Sequence, residues 1–156
     1  MLVREQPATE LTIATRILAR SGALVGDRRI TLRLRDVMYI GGRDVALSTM
    51  TPYDVAVVLS SDGSTLHGQA PSDTAAYLAV HRRSPHIASV ARMSDDDYVC
   101  APTLRGCVVA ALRRVRGESE TSADDATIEA VWLDLVSQAR ISGALIGAFP
   151  TENEAP

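Results

Sequence analysis

The stretch MTPYDVAVVLSSDG, residues 50–63, contains the pattern that bears most directly on the fold. Thr51 followed by Pro52 is typical of a helical first turn, because threonine caps such a turn and proline fits its first position. The apolar run at 55–59 predicts a buried strand, and the SDG after it predicts a hairpin turn with a returning strand at 64–67. The stretch therefore predicts an antiparallel pair of strands.

The next stretch, APSDTAAYLAVHRRSP at 70–85, predicts a helix. Ser72 is the predicted N-cap, and Asp73 lies in the predicted first turn, where the helix dipole favours negative charge. Arg82 and Arg83 lie at the other end, where the dipole favours positive charge. This charge order, and the proline that follows, set the direction and the end of the helix.

Further strands are predicted on both sides of this region. Alternating apolar and polar residues at 30–35 predict a half-buried strand, with a partner at 37–40 across a tight connection. The partner is expected to end at Gly41 and Gly42. A short apolar run at 87–91 predicts the next strand.

Helical spacing of apolar residues predicts a first helix capped by Thr9, a third helix at 104–115 and a last helix at 126–143. The three aspartates at 95–97 are typical of the opening turn of another helix or of a loop. The predicted organisation is an N-terminal tail (1–8), a single domain (9–149) that includes a polar flexible linker (117–125), and a C-terminal tail (150–156). Hairpins combined with helices predict an α/β sandwich with a mixed or mainly antiparallel central sheet flanked by helices.

The composition argues against several classes of function. The 156 residues include 19 acidic and 16 basic side chains, for a net charge of −3, and the basic residues are scattered along the chain. Neither a nucleic acid nor an anionic membrane is therefore favoured as a partner. Charges within the first twenty residues argue against an ordinary signal peptide, and the apolar runs are too short for a membrane span. We expect a cytoplasmic protein.

Few side chains offer reactive groups. All basic residues are arginine, so a Schiff base on lysine is excluded. Cys100 and Cys107 lack the spacing of a metal motif and are expected to be buried apolar residues or incidental thiols. His67, His81 and His86 lie on a predicted hairpin, helix end and loop, which is not the arrangement of a zinc site. His81 and His86 are predicted to be surface residues.

The order of these segments resembles that of the class II aldolase/adducin family, which includes sugar-phosphate aldolases and epimerases. The family's GNISVR-like strand corresponds to RRITLR at 28–33, and its TPSG turn corresponds to GGRD at 41–44. Its LTPEDIVVVDLDG segment and its PSSE helix start correspond to the stretches at 50–63 and 70–85. Its AVVHTHSPYA strand corresponds to IASVARMSDDDYV at 87–99. The resemblance covers roughly 9–99 and 126–143. The part in between is shorter than in the family, so the chain resembles a shortened member.

The resemblance also implies a degenerate metal site. In the family, the two histidines of the HTH stretch bind a divalent metal, usually zinc, and the glutamate of PSSE acts as acid and base. Here Arg92 and Ser94 occupy the two histidine positions, Asp73 takes the place of the glutamate, and no histidine follows His86. We therefore expect neither a metal nor another cofactor.

Two functions remain open from the sequence. In the first, a metal-independent lyase, isomerase or cyclase acts on a small carbonyl or carboxylate compound, with Asp73 as general acid/base, Arg92 as the fixed positive group and Tyr98 as a candidate proton donor. The predicted substrate-binding residues are Arg29, Thr31, Gly41, Gly42, Ser72 and Ser94. In the second, the chain is a catalytically inactive module for binding or assembly, for example as the partner of an active paralogue. The resemblance implies a homo-oligomer in both cases, and a tetramer is the family's usual form.

Overall fold

The computed structural model of the protein describes residues 2–118 and 125–142. The helices are α1 (Leu2–Arg20), α2 (Thr74–Arg83), α3 (Leu104–Val115) and α4 (Asp125–Ser142). The strands are β1 (Thr31–Leu34), β2 (Val37–Gly41), β3 (Val55–Leu59), β4 (Thr65–His67), β5 (Ser89–Ser94) and β6 (Asp97–Ala101). Two single turns of 3-10 helix, Leu47–Thr49 and Pro52–Asp54, connect β2 to β3.

The six strands form one layer. Strands β1 to β4 pair in sequence order as antiparallel neighbours, and β5 and β6 form a separate antiparallel hairpin. A bridge between Ile30 and Ala91 and a hydrogen bond from the Arg33 N–H to the Ala88 carbonyl (2.7 Å) place β5 beside β1. The spatial order is therefore β4-β3-β2-β1-β5-β6, and the pairings among the described strands are antiparallel. The predicted mainly antiparallel α/β sandwich is confirmed.

Helices cover both faces of this layer. Successive side chains of a strand point to opposite faces, so Tyr39 and Val57 pack with α1 and α3 while Met38 and Val58 pack with α2. Trp132 of α4 joins the core on the α1 and α3 side. Within the described ranges, α1 and α3 lie on one face of the sheet with α4 packed against them, and α2 lies on the other face.

The predicted start of the first helix is wrong. Helix α1 begins at Leu2, so residues 2–8, predicted as a tail, are helical, and Thr9 lies inside the helix instead of capping it. Pro7 lies in the second turn, where proline removes one backbone hydrogen bond and is unfavourable by propensity. Burial of residues such as Leu11 and Leu18 on the sheet outweighs that local cost.

The region around the three aspartates also differs from the prediction. Strand β5 continues to Ser94, Asp95 and Asp96 form a hairpin turn, and β6 begins at Asp97. Aspartate is common both in turns and at the start of helices, so the sequence signal was ambiguous. Most of the predicted linker (119–124) and the whole predicted C-terminal tail lie outside the described residues.

The predicted cap of α2 is wrong by one residue. Asp73 occupies the N-cap position, without a capping hydrogen bond from its side chain, and Ser72 precedes it as an exposed residue. The Thr74 hydroxyl instead donates to the Pro71 carbonyl at 2.6 Å. By contrast, Thr51 is the cap before β3 as predicted, and the structure adds Asp54 to it, with the Thr51 N–H donating to Asp54 Oδ2 at 2.9 Å.

None of the helices in the described ranges is long and apolar enough to cross a membrane.

The caps of α2 and α3 can be tested by measuring the stability of variants. The Thr103 hydroxyl accepts a hydrogen bond from the Gly106 N–H at 3.0 Å and caps α3, so Thr103→Ala should lower the free energy of unfolding by ~1 kcal/mol. Ser72→Ala should cost less than about half of that, because exposed substitutions away from a cap are nearly neutral. Urea unfolding of both variants provides the comparison. Equal losses would contradict the assignment of Asp73 to the cap position.

Candidate functional site

A charged cleft of about 770 Å³ opens beside the N-terminal end of α2. Its walls come from the loop before β1, the turn after β2, the approach to α2, and the end of β5. The lining residues are Val25, Gly26, Asp27, Arg28, Arg29, Arg43, Asp44, Pro71, Ser72, Asp73, Arg92 and Asp95. Four arginines and four aspartates thus face one space, in a chain whose charges are otherwise dispersed.

Asp73 and Arg92 form a direct ion pair in the wall of the cleft. Asp73 Oδ2 lies 2.8 Å from Arg92 Nη1, and the two side chains are 28% and 18% exposed. Arg92 Nη2 donates to the Asp95 carbonyl at 2.9 Å, so the turn between β5 and β6 holds the same guanidinium. The two residues that the sequence named as catalytic partners are therefore brought together in an accessible cleft.

The Tyr98 ring packs against the guanidinium of Arg92. Strand pairing places Tyr98 opposite Arg92, and the guanidinium carbon lies 5.7 Å from the centre of the Tyr98 ring, a cation–π distance. The Tyr98 ring in turn meets Tyr77 edge to face, with centroids 6.2 Å apart. Tyr98 is half-buried and is not part of the cleft lining. Its geometry supports the guanidinium more directly than it places a proton donor in the cleft.

Arg29 forms the floor of the cleft and is only 4% exposed. Its Nε donates to the Gly41 carbonyl at 2.9 Å, Nη2 donates to the Gly42 carbonyl at 2.8 Å, and Nη1 donates to the Asp27 carbonyl. These bonds occupy the guanidinium with backbone oxygens. Arg29 therefore shapes the site, and because it also lines the cleft its role in substrate binding stays a prediction.

Gly41 and Gly42 contribute backbone carbonyls that hold the Arg29 side chain. Their carbonyls accept from Arg29, and neither glycine lines the cleft. A Cβ on Gly42 would lie 2.6 Å from the Asp54 carbonyl oxygen, so the close approach of the backbones requires glycine.

Thr31 lies beneath the sheet surface and not in the cleft. It is fully buried, and its hydroxyl lies 2.7 Å from Nε2 of His81. Nδ1 of His81 lies 3.3 Å from the Ile87 carbonyl, which can only accept, so the neutral ring donates there and accepts from Thr31 at Nε2. The predicted surface position of His81 is wrong, because the residue is 2% exposed. Burial lowers the pKa of His81 to about 4.

The two predicted serines have different positions. Ser72 lines the cleft and is exposed, so its hydroxyl is available to a ligand. Ser94 is the last residue of β5, pairs with Asp97, and is absent from the lining. The predicted burial of Cys107 is confirmed, and Cys100 is an exposed thiol.

Sequence reasoning missed several charged residues of the site. Asp27, Arg43 and Asp44 line the cleft, and their side chains have no hydrogen-bond or ion-pair partner in the part of the chain that the structure describes. Arg28 donates to the Met93 carbonyl at 3.1 Å and lies 3.9 Å from Asp95. Arg28 lies beside Arg29, and Arg43 and Asp44 belong to the GGRD stretch at 41–44, so all three were in segments that the resemblance covers, but it gave them no role. Asp27 lies in a loop whose approach to the cleft depends on tertiary structure.

The divalent metal implied by the family resemblance does not fit these residues. A metal needs several nitrogen, sulfur or oxygen ligands that converge on one point, and no group of three His, Cys, Asp or Glu side chains within the described ranges could hold one. The cationic guanidinium of Arg92 projects into the wall of the cleft, where it would repel a cation.

Comparison with solved structures shows the class II aldolase fold. YgbL from Escherichia coli, a proposed aldolase/epimerase/decarboxylase, is 23% identical with a TM-score of 0.52, over 58% of this chain and 45% of its own. L-fuculose 1-phosphate aldolase from Glaciozyma antarctica PI12 is 19% identical with a TM-score of 0.50, over 57% of this chain and 40% of its own. An aldolase II superfamily protein from Pseudomonas syringae is 10% identical with a TM-score of 0.67, over 91% of this chain and 95% of its own.

The chain thus spans less than half the length of the first two proteins and nearly all of the third. No protein-family model and no curated protein matches the sequence.

Because His81 is buried, we expect the free energy of unfolding to depend on pH. Because burial lowers the pKa of His81 to about 4, below its ordinary 6.5, the unfolded chain binds a proton before the folded chain does. The contribution of neutral His81 to the free energy of unfolding is therefore complete above pH 6.5 and is lost as the pH falls towards 4. From pH 7.0 to 4.5, wild type should lose about 2–3 kcal/mol more of its free energy of unfolding than His81→Gln does.

Urea unfolding at the two pH values measures this difference. His86→Gln is the matched control, since His86 is exposed, and it should retain the wild-type dependence on pH. An equal loss in wild type and His81→Gln would show that the buried ring is not the titrating group.

Proposed function

We propose that the chain is a metal-independent enzyme that binds a small carbonyl or carboxylate compound in the charged cleft and catalyses a lyase, isomerase or cyclase reaction. The observation that carries this proposal is the Asp73–Arg92 pair, with 2.8 Å between Oδ2 and Nη1, in the wall of an open cleft. A proton-transferring carboxylate and a fixed cation are the two groups that enolisation of a carbonyl compound needs.

Arg92 supplies the fixed positive charge. Each of its terminal nitrogens carries a second hydrogen that has no partner among the described residues, beyond the bonds to Asp73 and the Asp95 carbonyl. These hydrogens are available to the oxygen of a substrate carbonyl or carboxylate, and the bond strengthens as that oxygen gains charge in an enolate. A guanidinium does not activate water as a bound metal does. The chemistry is therefore limited to enolisation, isomerisation, dehydration or cyclisation.

Asp73 transfers the proton. Its Oδ2 accepts from Arg92, and Oδ1 has no hydrogen-bond partner in the described part of the protein. In the proposed step, Asp73 takes a proton from the carbon next to the substrate carbonyl, the electron pair moves to the carbonyl oxygen, and Arg92 stabilises the resulting enolate. Return of the proton to a different atom, or loss of a leaving group, completes the reaction. The side chain of Ser72 can orient the substrate, since it faces the same space.

The fold gives general support to this class of reaction. Two of the similar structures are an L-fuculose 1-phosphate aldolase and a proposed aldolase/epimerase/decarboxylase. Our proposal for this chain differs by using Arg92 in place of a metal. It includes a cytoplasmic homo-oligomer, a tetramer by the resemblance.

A noncatalytic function is the second candidate, and one observation favours it. The Arg92 guanidinium contacts Asp73, the Asp95 carbonyl and the Tyr98 ring, and these contacts hold it in place as a structural pair would. The Asp73–Arg92 ion pair can hold β5 against the start of α2 without taking part in a reaction. The chain would then be a binding or assembly module, and a substrate would have no effect on it.

Exchange of carbon-bound hydrogen in D₂O distinguishes the two functions. Wild type should catalyse deuterium incorporation at the carbon next to the carbonyl of pyruvate, 2-oxobutanoate or 4-oxopentanoate, measured by proton NMR. The rate should be unchanged by EDTA, because no metal takes part. Asp73→Asn and Arg92→Ala should each lower it by about 100-fold, since each removes a group that acts in the transition state.

Arg83→Ala is the matched control, because Arg83 is an exposed arginine at the far end of α2 and should leave the rate unchanged. Folding of each variant is checked by circular dichroism. Exchange that survives Asp73→Asn, or that EDTA abolishes, would contradict the proposed enzyme. Absence of exchange with all three compounds in a folded wild type would favour the noncatalytic module.

A further inference from the structure

Tyr77 lies directly beneath the Asp73–Arg92 pair and takes no part in the proposed chemistry. It is fully buried in the core between α2 and the sheet. Its hydroxyl accepts a hydrogen bond from the backbone N–H of Arg29 at 2.9 Å. The Arg29 carbonyl in turn accepts from the backbone N–H of Arg92 at 3.0 Å. Two consecutive hydrogen bonds therefore connect the Tyr77 hydroxyl to the backbone that carries Arg92.

A second connection runs through the aromatic rings. The Tyr77 ring meets the Tyr98 ring at an interplanar angle of 87°, with centroids 6.2 Å apart. The Tyr98 ring lies against the Arg92 guanidinium at 5.7 Å. Tyr77 thus contacts the support of the Arg92 side chain as well as the support of its backbone.

Helix geometry explains why one helix can hold both ends of Arg92. Asp73 and Tyr77 are four residues apart, and residues at this spacing lie on the same face of a helix. The face of α2 that binds the guanidinium through Asp73 therefore also presents the Tyr77 hydroxyl to Arg29. A phenylalanine would fill the same apolar space but would leave the buried Arg29 N–H without an acceptor.

We propose that Tyr77 is a positioning residue that fixes Arg92 in the cleft through the Arg29 backbone and the Tyr98 ring. The catalytic part of this inference rests on the proposed function, whereas the structural part does not. Removal of the hydroxyl leaves the ring contact intact and frees the segment that holds the Arg92 backbone. Small displacements matter here, because a misplacement of about 1 Å can cost ~100-fold in rate.

Amide hydrogen exchange tests the structural part in the free protein. In Tyr77→Phe, the Arg29 and Arg92 amides should exchange about tenfold faster than in wild type, since the first loses its acceptor and the second loses a fixed partner. The Arg33 amide is the internal reference. It donates to the Ala88 carbonyl and also joins β1 to β5, but it has no connection to Tyr77, and it should change less than about twofold.

Tyr39→Phe is the matched control variant, because Tyr39 is a buried tyrosine on the opposite face of the sheet. It should leave all three amides unchanged. Unchanged exchange at Arg29 and Arg92 in Tyr77→Phe would overturn the proposal. Faster exchange of the Arg33 amide by the same factor would also overturn it, because the variant would then be destabilised as a whole.

Turnover tests the catalytic part. The deuterium-exchange kcat of Tyr77→Phe should fall by about tenfold with a smaller change in KM, because Arg92 is displaced from the position where it stabilises the enolate. Rates are expressed per folded molecule, so that partial unfolding of the variant does not affect the comparison of kcat values. A wild-type kcat in Tyr77→Phe would overturn the positioning role. A wild-type protein without turnover would refute the proposed function and leave the amide measurement to decide the structural part.

Discussion

The buried guanidinium of Arg29 is the interaction on which the rest of the site depends. Removing a cation of this size from water costs several kcal/mol unless its donors are satisfied. Here three backbone carbonyls, from Asp27, Gly41 and Gly42, accept from it. The bonds tie the loop before β1 to the end of β2. The backbone of the same residue connects Tyr77 on α2 to Arg92 on β5. One residue thus fixes four segments around the cleft.

The sequence predicted the parts of the structure that local physical chemistry determines. Alternation predicted β1, the tight connection after it predicted β2 as its partner, and the capped turn at Thr51 predicted the start of β3. The start of α1 was not predictable in this way, because proline and threonine suggested a later start while burial on the sheet favours a longer helix. His81 was misplaced for a related reason. Its polarity suggests the surface, but Thr31 and Ile87 satisfy both ring nitrogens in the interior.

The same limit applies to the site. The family resemblance placed both Asp73 and Arg92 in the site, and the structure brings them together as an ion pair; Arg29 and Ser72 also line the cleft. Thr31, Gly41, Gly42 and Ser94 do not, because a segment that matches a motif fixes the path of the backbone but not which side chains reach the cavity. At the end of β5 the structure presents the cationic guanidinium of Arg92, which is paired with Asp73.

Binding at the cleft can be measured by NMR titration of the uniformly ¹⁵N-labelled protein with pyruvate, in which the arginine Nε–Hε signals are observed. Substrate binding at the Asp73–Arg92 pair predicts a saturable shift of the Arg92 signal and of the Ser72 and Asp73 amides. The signal of Arg82, an arginine on α2 that bonds the Ser60 carbonyl away from the cleft, should remain in place. If the Arg92 signal does not move at saturating pyruvate, or if the Arg82 signal shifts equally, the cleft is not a specific site for such compounds.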